Sequence, residues 1–473
     1  MEVFKNLALY RESSIPLYRQ LSDAIRVMIE DGTLAQGYKL PTIRALSKHL
    51  KVNNMTVISA YKYLESHHFI YSLVGSGTYV APERRNQLPE PILKNQYNAR
   101  QAVSSQITPD TINFADTSTD AKLFPVEAFK KAFDDALARD GGLAFDYQDS
   151  QGYEPLRESL CAYLETCSIK TSPSRIQIIS GAQQGLDILA KALLEPGDVL
   201  LTEQPTFYGA VGAFATRGAT VYEMPMEDDG PDMDAVESLM KQYRPRFLYV
   251  MPNFQTPTGI SYGAEKKHRL LELVYKYESY IIEEDNQNDF YYDGNPRVPL
   301  KALDYRNRCI YVKSFSKILM PGLRIGCMVL PRKLAVATVK RNTDIATSGY
   351  IQRAFDLYLR DGGYSAHCAF MRGEYGKRYQ TALEAIKRQL TGYVKYTPPD
   401  GGLSFWLTLS RREWSGYVEE FCEAVLAHDV IITPGSVFSA RGDAFRVSFA
   451  AVSADRITEG INVIASVLRG EGK

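Results

Sequence analysis

A chain of 473 residues is long for one domain and points to two or three. With 45% hydrophobic and 23% charged residues it has material for a large core, and the 55 Lys and Arg balance 55 Asp and Glu, so no global field seeks out a polyanion. No charged-then-apolar leader and no apolar run of bilayer-spanning length is present, which leads to the expectation of a cytoplasmic protein without membrane contact.

From Pro16, apolar residues recur at Leu17, Leu21, Ile25, Met28 and Ile29, the spacing of one helix face, ended by Asp31-Gly32. A second pattern, Ile43, Leu46 and Leu50, follows the proline start Leu40-Pro41-Thr42. A third opens at Asn53 and places Val57, Tyr61 and Leu64 on one face. Two strand-like pieces, 69–73 and 78–80, are joined through the glycine-rich turn Val74-Gly75-Ser76-Gly77. Three short helices and a hairpin form the plan of a winged helix-turn-helix over residues 1–82, with the third helix entering the major groove. Nine Lys and Arg against six Asp and Glu in this segment support DNA only mildly, and a helical module for protein contacts has the same periodicity. Residues 83–108 show no sustained period and read as a linker.

From about Thr111 apolar runs alternate with helical patterns. IQIIS (176–180), VLLTE (199–203), FLYVMP (247–252), YIIEE (280–284) and CIYV (309–312) predict a mostly parallel sheet with ligands at the strand carboxyl ends, in a domain spanning 109–473. The six cysteines (161, 167, 309, 327, 368 and 422) have no metal-ligand spacing and read as free thiols. Strand ends carry SGAQQG (180–185), QPTFYG (204–209), NFQTPTG (253–259) and IIEEDNQNDFYYDG (281–294); SFSKILMPGLRIG (314–326) follows the last run. Lysine forms Schiff bases with aldehydes, and Ser314 and Arg324 could hold an anion beside Lys317. A surface lysine after a strand would show the same spacing.

The run from PLYRQL through LPTIRALSKHLKVNNMTVISAYKYLE to GSGTYV resembles the GntR-type DNA-binding domain. By that resemblance Arg44, Asn53, Asn54 and Thr56 would face operator DNA, with Ser76 and Gly77 at the wing tip. Asn54 stands where the family usually has arginine; asparagine can still read adenine. The segment 314–326 and the strand-end motifs resemble the fold-type I, aspartate aminotransferase-like enzymes that use pyridoxal 5′-phosphate (PLP). The resemblance implies an α/β PLP-dependent transferase fold with a smaller C-terminal α+β subdomain, and Lys317 as the Schiff-base residue. It places Ala182, Gln183, Ser314 and Arg324 near the phosphate and Phe207 on the ring. Asn253, Thr256, Glu284 and Asn286 complete its cofactor set, and Arg446 in FRVSFA (445–450) would grip a substrate or effector carboxylate.

Tyr147, in DYQDSQGYEPLR (146–157), would reach the cofactor of a partner subunit. The cofactor site departs from the family in three ways: Thr256 replaces an asparagine, Glu284 an aspartate, and Asn286 and Gln287 stand near where a tyrosine is usual. Both halves together resemble the MocR/GabR regulators. That implies a homodimer, domain-swapped or not, sensing an amino compound or PLP itself through aldimine exchange at Lys317. The alternative is a PLP-dependent aminotransferase carrying a DNA-binding domain; a third is a regulator that has lost the cofactor.

Overall fold

The computed structural model describes residues 2–470 apart from 5, 6, 8, 11–15, 36, 67, 68, 74–76, 82–107, 109, 332–335, 411–413, 415 and 439–441. The chain divides into two compact units, Met1–Lys94 and Asn95–Lys473. The expected linker 83–108 lies, except for Thr108, outside the described residues, as does Ser76.

In the N-terminal unit, helices α1 (Leu17–Glu30), α2 (Ile43–Leu50) and α3 (Asn54–Ser66) precede strands β1 (Ile70–Leu73) and β2 (Gly77–Val80), which pair antiparallel. The apolar faces read from the sequence meet in one core that includes Leu21, Ile25, Leu46, Val57, Leu64, Ile70 and Val80. Thr42 caps α2 by accepting from the Ala45 amide at 3.3 Å, satisfying a donor the helix itself leaves open. Lys51 ends α2 in the left-handed conformation, which turns the chain into α3. Gly77 adopts φ +132°, and a Cβ there would lie 2.8 Å from Lys39 Cε, so glycine admits the lysine across the hairpin.

In the larger unit, eight strands among the described residues form one sheet: β4 (Ile176–Ile179), β5 (Val199–Gln204), β6 (Thr220–Glu227), β7 (Gly230–Pro231), β8 (Phe247–Val250), β9 (Tyr280–Asp285), β10 (Cys309–Ser314) and β11 (Gly326–Val329). Their order is β4-β11-β10-β9-β8-β5-β6-β7. β6, β5, β8, β9 and β10 run parallel, while β11 lies antiparallel between β10 and β4. The five runs picked out by apolarity are all strands, and β8 is buried throughout, as parallel strands covered on both faces must be. A short strand β3 (Ile112–Asn113) pairs with β14 (Val430–Ile431). The smaller sheet joins β12 (Val394–Lys395), β13 (Ser404–Leu409), β16 (Ala444–Ser448) and β15 (Thr433–Pro434). The long helix Gly363–Leu390 packs with the helix Ala454–Arg469 in this smaller subdomain, the α+β part expected from the sequence.

Candidate functional site

The carboxyl ends of β4, β5, β8, β9 and β10 converge on a cavity of about 610 Å³. Ala182, Gln183, Phe207, Thr256, Glu284, Asn286, Ser314, Lys317, Arg324 and Arg446 all line it, so most of the set expected from the sequence is brought together. Two residues are not. Asn253 points away from it: its side-chain oxygen accepts from Lys267 Nζ at 2.6 Å, and its amide reaches the Arg297 carbonyl at 3.5 Å. The residue of that loop that faces the cavity is Thr256, three positions on. Tyr147 is 82% exposed and lies outside its own chain's cavity.

Lys317 donates to the Thr117 carbonyl at 2.8 Å and to its hydroxyl at 2.7 Å. Thr117 comes from the loop after β3, two hundred residues earlier, and holds the amine at the cavity wall. Glu284 is 4% exposed and faces the cavity from the end of β9. Tyr249 Oη donates to it at 2.5 Å and Asn286 Nδ2 at 3.3 Å. Burial pushes the Glu284 carboxyl upward, and these two donors pull against that shift. Asp285, the next residue, turns to the opposite face of the strand, where Lys313 Nζ meets it at 3.0 Å. Glu284 is thus the carboxylate available to a ring nitrogen in the cavity.

Thr256 and Gln287 form a pair, with Gln287 Nε2 donating to Thr256 Oγ1 at 2.7 Å. Because Thr256 accepts that bond, its own hydroxyl proton stays available to an acceptor in the cavity. The Thr256 loop is fixed from beneath by Gln255, whose amide donates to Glu203 at 3.1 Å and to the Pro205 carbonyl at 2.7 Å. Glu203 also accepts from Tyr262 Oη and from the Met251 amide; its burial pushes the carboxyl up to about 7.

At the far end, the helix Ala182–Leu193 begins at Gly181 with no side chain capping it. Its first N–H groups lie beside Arg324, Ser314 and Ser316 in one wall, a donor set suited to a phosphate. Gly181 is at φ +96°, and a Cβ there would sit 2.5 Å from Arg324 Nη2. The absent side chain is what lets the guanidinium approach and bond the Ser180 carbonyl at 2.9 Å. Arg446, on β16, is 7% exposed; its Nη2 donates to the Ala115 carbonyl at 2.9 Å and to Thr433 Oγ1 at 3.3 Å, with the guanidinium carbon 4.8 Å from the Phe438 ring centre. A lysine amine, an anion cradle, a buried carboxylate, an aromatic ring at Phe207 and a second fixed cation therefore share one cavity. These residues fit PLP.

Residues 111–464 match the family model described as aminotransferase class I and II. The chain belongs to that family. Residues 17–80 of this family member also match the model for bacterial regulatory proteins of the gntR family. The uncharacterized HTH-type transcriptional regulator YisV of Bacillus subtilis (strain 168) is 29% identical over 475 residues, covering 97% of each chain. The probable rhizopine catabolism regulatory protein MocR of Rhizobium meliloti is 29% identical over 420 residues, covering 86% of this chain and 84% of that one. LysN, an α-aminoadipate aminotransferase from Thermus thermophilus solved with N-(5′-phosphopyridoxyl)-L-leucine, aligns with a TM-score of 0.71 at 30% identity, over 80% of this chain and 98% of that one. A GntR-type DNA-binding domain is fused here to an aminotransferase-like domain whose cofactor is pyridoxal phosphate, the arrangement of a MocR-like transcriptional regulator.

In the DNA-binding unit, Arg44 is exposed in the first turn of α2, and Asn53 and Asn54 are exposed and Thr56 half-buried around the start of α3. Both asparagine oxygens are engaged within the unit. Asn53 Oδ1 accepts from the Met55 amide at 3.0 Å, and Asn54 Oδ1 from Ser47 Oγ at 2.5 Å. Bidentate reading of adenine by either one competes with that bond. Sequence reasoning passed over Thr117 and used Gln287 only as a departure. The hydroxyl run Thr117-Ser118-Thr119 and the position of Gln287 two residues after a strand-end carboxylate were the available signals. Among the described residues no helix is long and apolar enough to cross a membrane.

Proposed function

We propose that this regulator senses an amino compound bearing a carboxylate in the Lys317 cavity, and that occupancy changes its affinity for operator DNA. The observation that carries this reading is the placing of Lys317, held by Thr117, in the same cavity as Arg446. When bound there, PLP supplies an aldehyde that takes up amines. Arg446 would offer the effector's carboxylate a forked, permanently charged partner, and Lys317 would offer its amine to the cofactor's aldehyde. Glu284, kept in place by Tyr249 and Asn286, would pair with the ring nitrogen. Ala182, Gln183, Ser314 and Arg324 hold the phosphate, with Thr256 and Gln287 beside the ring.

Arg44, Asn53, Asn54, Thr56, Ser76 and Gly77 form the DNA-facing set, and a cytoplasmic homodimer presents two such units to paired half-sites. In that dimer the exposed Tyr147 reaches the partner subunit's cofactor. A difference in effector affinity between two arrangements of the dimer is what biases DNA binding.

The test is the visible absorption of the purified protein, before and after borohydride reduction, together with operator binding as amino acids are added. Borohydride should fix the cofactor on a peptide containing Lys317, and Lys317→Ala should lose the lysine-linked band while remaining folded. An unchanged band in that variant sinks the assignment. Sustained multiple-turnover amino transfer to a keto acid, with operator affinity indifferent to ligand, would instead establish the aminotransferase reading.

A further inference from the structure

A second cavity, of about 700 Å³, opens on the other face of the same sheet and contains none of the Lys317 set. It lies within the C-terminal unit, between the helix Glu154–Thr166, the junction of the helices Gly349–Arg360 and Gly363–Leu390, and the loop after β9. Its floor is a buried charge cluster. Lys313, 1% exposed, bonds Asp289 at 2.7 Å, and Tyr163 and Tyr364 each donate to the same carboxylate at 3.3 Å.

Three of the four cations lining this cavity are neutralised within the protein. Lys313 pairs with Asp285 and Asp289, Arg297 with Asp293 and Asp400, and Arg360 with Asp356. Arg372 is different. Its guanidinium lies 4.7 Å above the Tyr291 ring centre and spends one N–H on the Asp289 carbonyl at 3.5 Å, and among the described residues no carboxylate pairs with it. A guanidinium stacked on a ring has its fork held in one plane, the geometry that receives a carboxylate through two parallel bonds. In the lining of the same cavity, Asp289 Oδ1 accepts one long bond from Tyr163 and retains capacity for a donor.

We infer that this cavity is a second ligand site, taking a small aromatic or apolar carboxylate that carries a hydrogen-bond donor: the carboxylate on Arg372, the donor on Asp289 and the apolar body against Tyr163 and Tyr291. Such a ligand needs no amine and does not exchange with Lys317. Its binding is independent of the effector chemistry at the first cavity, while its floor residue Lys313 immediately precedes Ser314 on β10.

Hippurate is a suitable probe, since it has an aromatic ring, an amide N–H and a carboxylate but no free amine. Calorimetric titration of the full chain should give one saturable site. Arg372→Ala should weaken it by about tenfold or more. Ala162→Trp, which fills the cavity from an exposed lining position and leaves Arg372 in place, should weaken it as well. Arg446→Ala, at the first cavity, should leave it unchanged. Absence of saturable binding overturns the inference. So does loss in Arg446→Ala with retention in Arg372→Ala, which assigns the probe to the first cavity. Lysine-linked cofactor absorption is followed in the same samples, so failure of hippurate binding and failure of the PLP-sensor reading are separate results.

Discussion

Gly181→Ala tests the anion cradle through one methyl group. The added Cβ would stand 2.5 Å from Arg324 Nη2, 3.0 Å from Cζ and 3.3 Å from Nη1, so the guanidinium has to leave its place and its bond to the Ser180 carbonyl. At φ +96° and ψ 161° the backbone is in a region that L side chains rarely adopt, which adds a cost of about 1–3 kcal/mol to the folded state. With Arg324 holding the cofactor phosphate as proposed, removing this charge-assisted partner should cost roughly 1.5–3 kcal/mol, or a ten- to hundredfold loss of PLP affinity. Absorbance titration of apo protein with PLP measures the second effect, and a lower thermal midpoint of the apo protein measures the first. If the affinity loss runs through Arg324, Gly181→Ala placed on an Arg324→Ala background should weaken PLP little further, because the two changes remove the same contact. Wild-type affinity in Gly181→Ala, or an undiminished loss on the Arg324→Ala background, would refute the reasoning.

Arg44→Ala should weaken operator binding and lower its salt dependence by about one phosphate contact, leaving the cofactor spectrum alone; gel-shift titrations at two salt concentrations measure both, and equal DNA affinity would mean α2 is docked differently. Glu203, pushed up to about 7 by burial, binds its proton more tightly in the folded chain than in the unfolded one. Its stabilising contribution is therefore present below the ordinary carboxylate range and is lost as pH rises through about 7. Glu203→Gln should flatten the dependence of the thermal midpoint between pH 5 and pH 8, on the order of 1.4 kcal/mol per unit of removed shift. A wild-type slope in that variant would assign the dependence to other groups.

Much of this architecture is legible from apolar runs. Each of the five runs ending in a polar motif is a strand, because a strand covered on both faces leaves an uninterrupted apolar signature. The winged helix is legible for a different reason, since its three helices each carry a periodic face that only a shared core can bury. The site is less legible where it depends on long-range closure. Thr117 sits in a segment without periodicity and reaches Lys317 only after β3 pairs with β14 near the far end of the chain. Asn253 and Thr256 share a loop, and spacing alone does not say which side chain the turn sends inward. The Arg372 cavity is assembled from segments more than two hundred residues apart, with no motif joining them.

β9 ends in three consecutive carboxylates, Glu283, Glu284 and Asp285, and any sliding of this strand along β10 by one residue would exchange their faces. The short aspartate would then enter the ring cavity, while the longer glutamate would be driven toward Lys313. Opposed to this are fixed partners on the face away from the cavity: Asp285 is tied to Lys313 directly across the ladder, and Glu283 accepts from the backbone amides of Leu300 and Lys301 at 2.8 and 2.7 Å. The ion pair behind the sheet therefore acts as a detent on the strand. It decides which of two neighbouring acids faces the Lys317 cavity, although it lies on the opposite face of the strand itself.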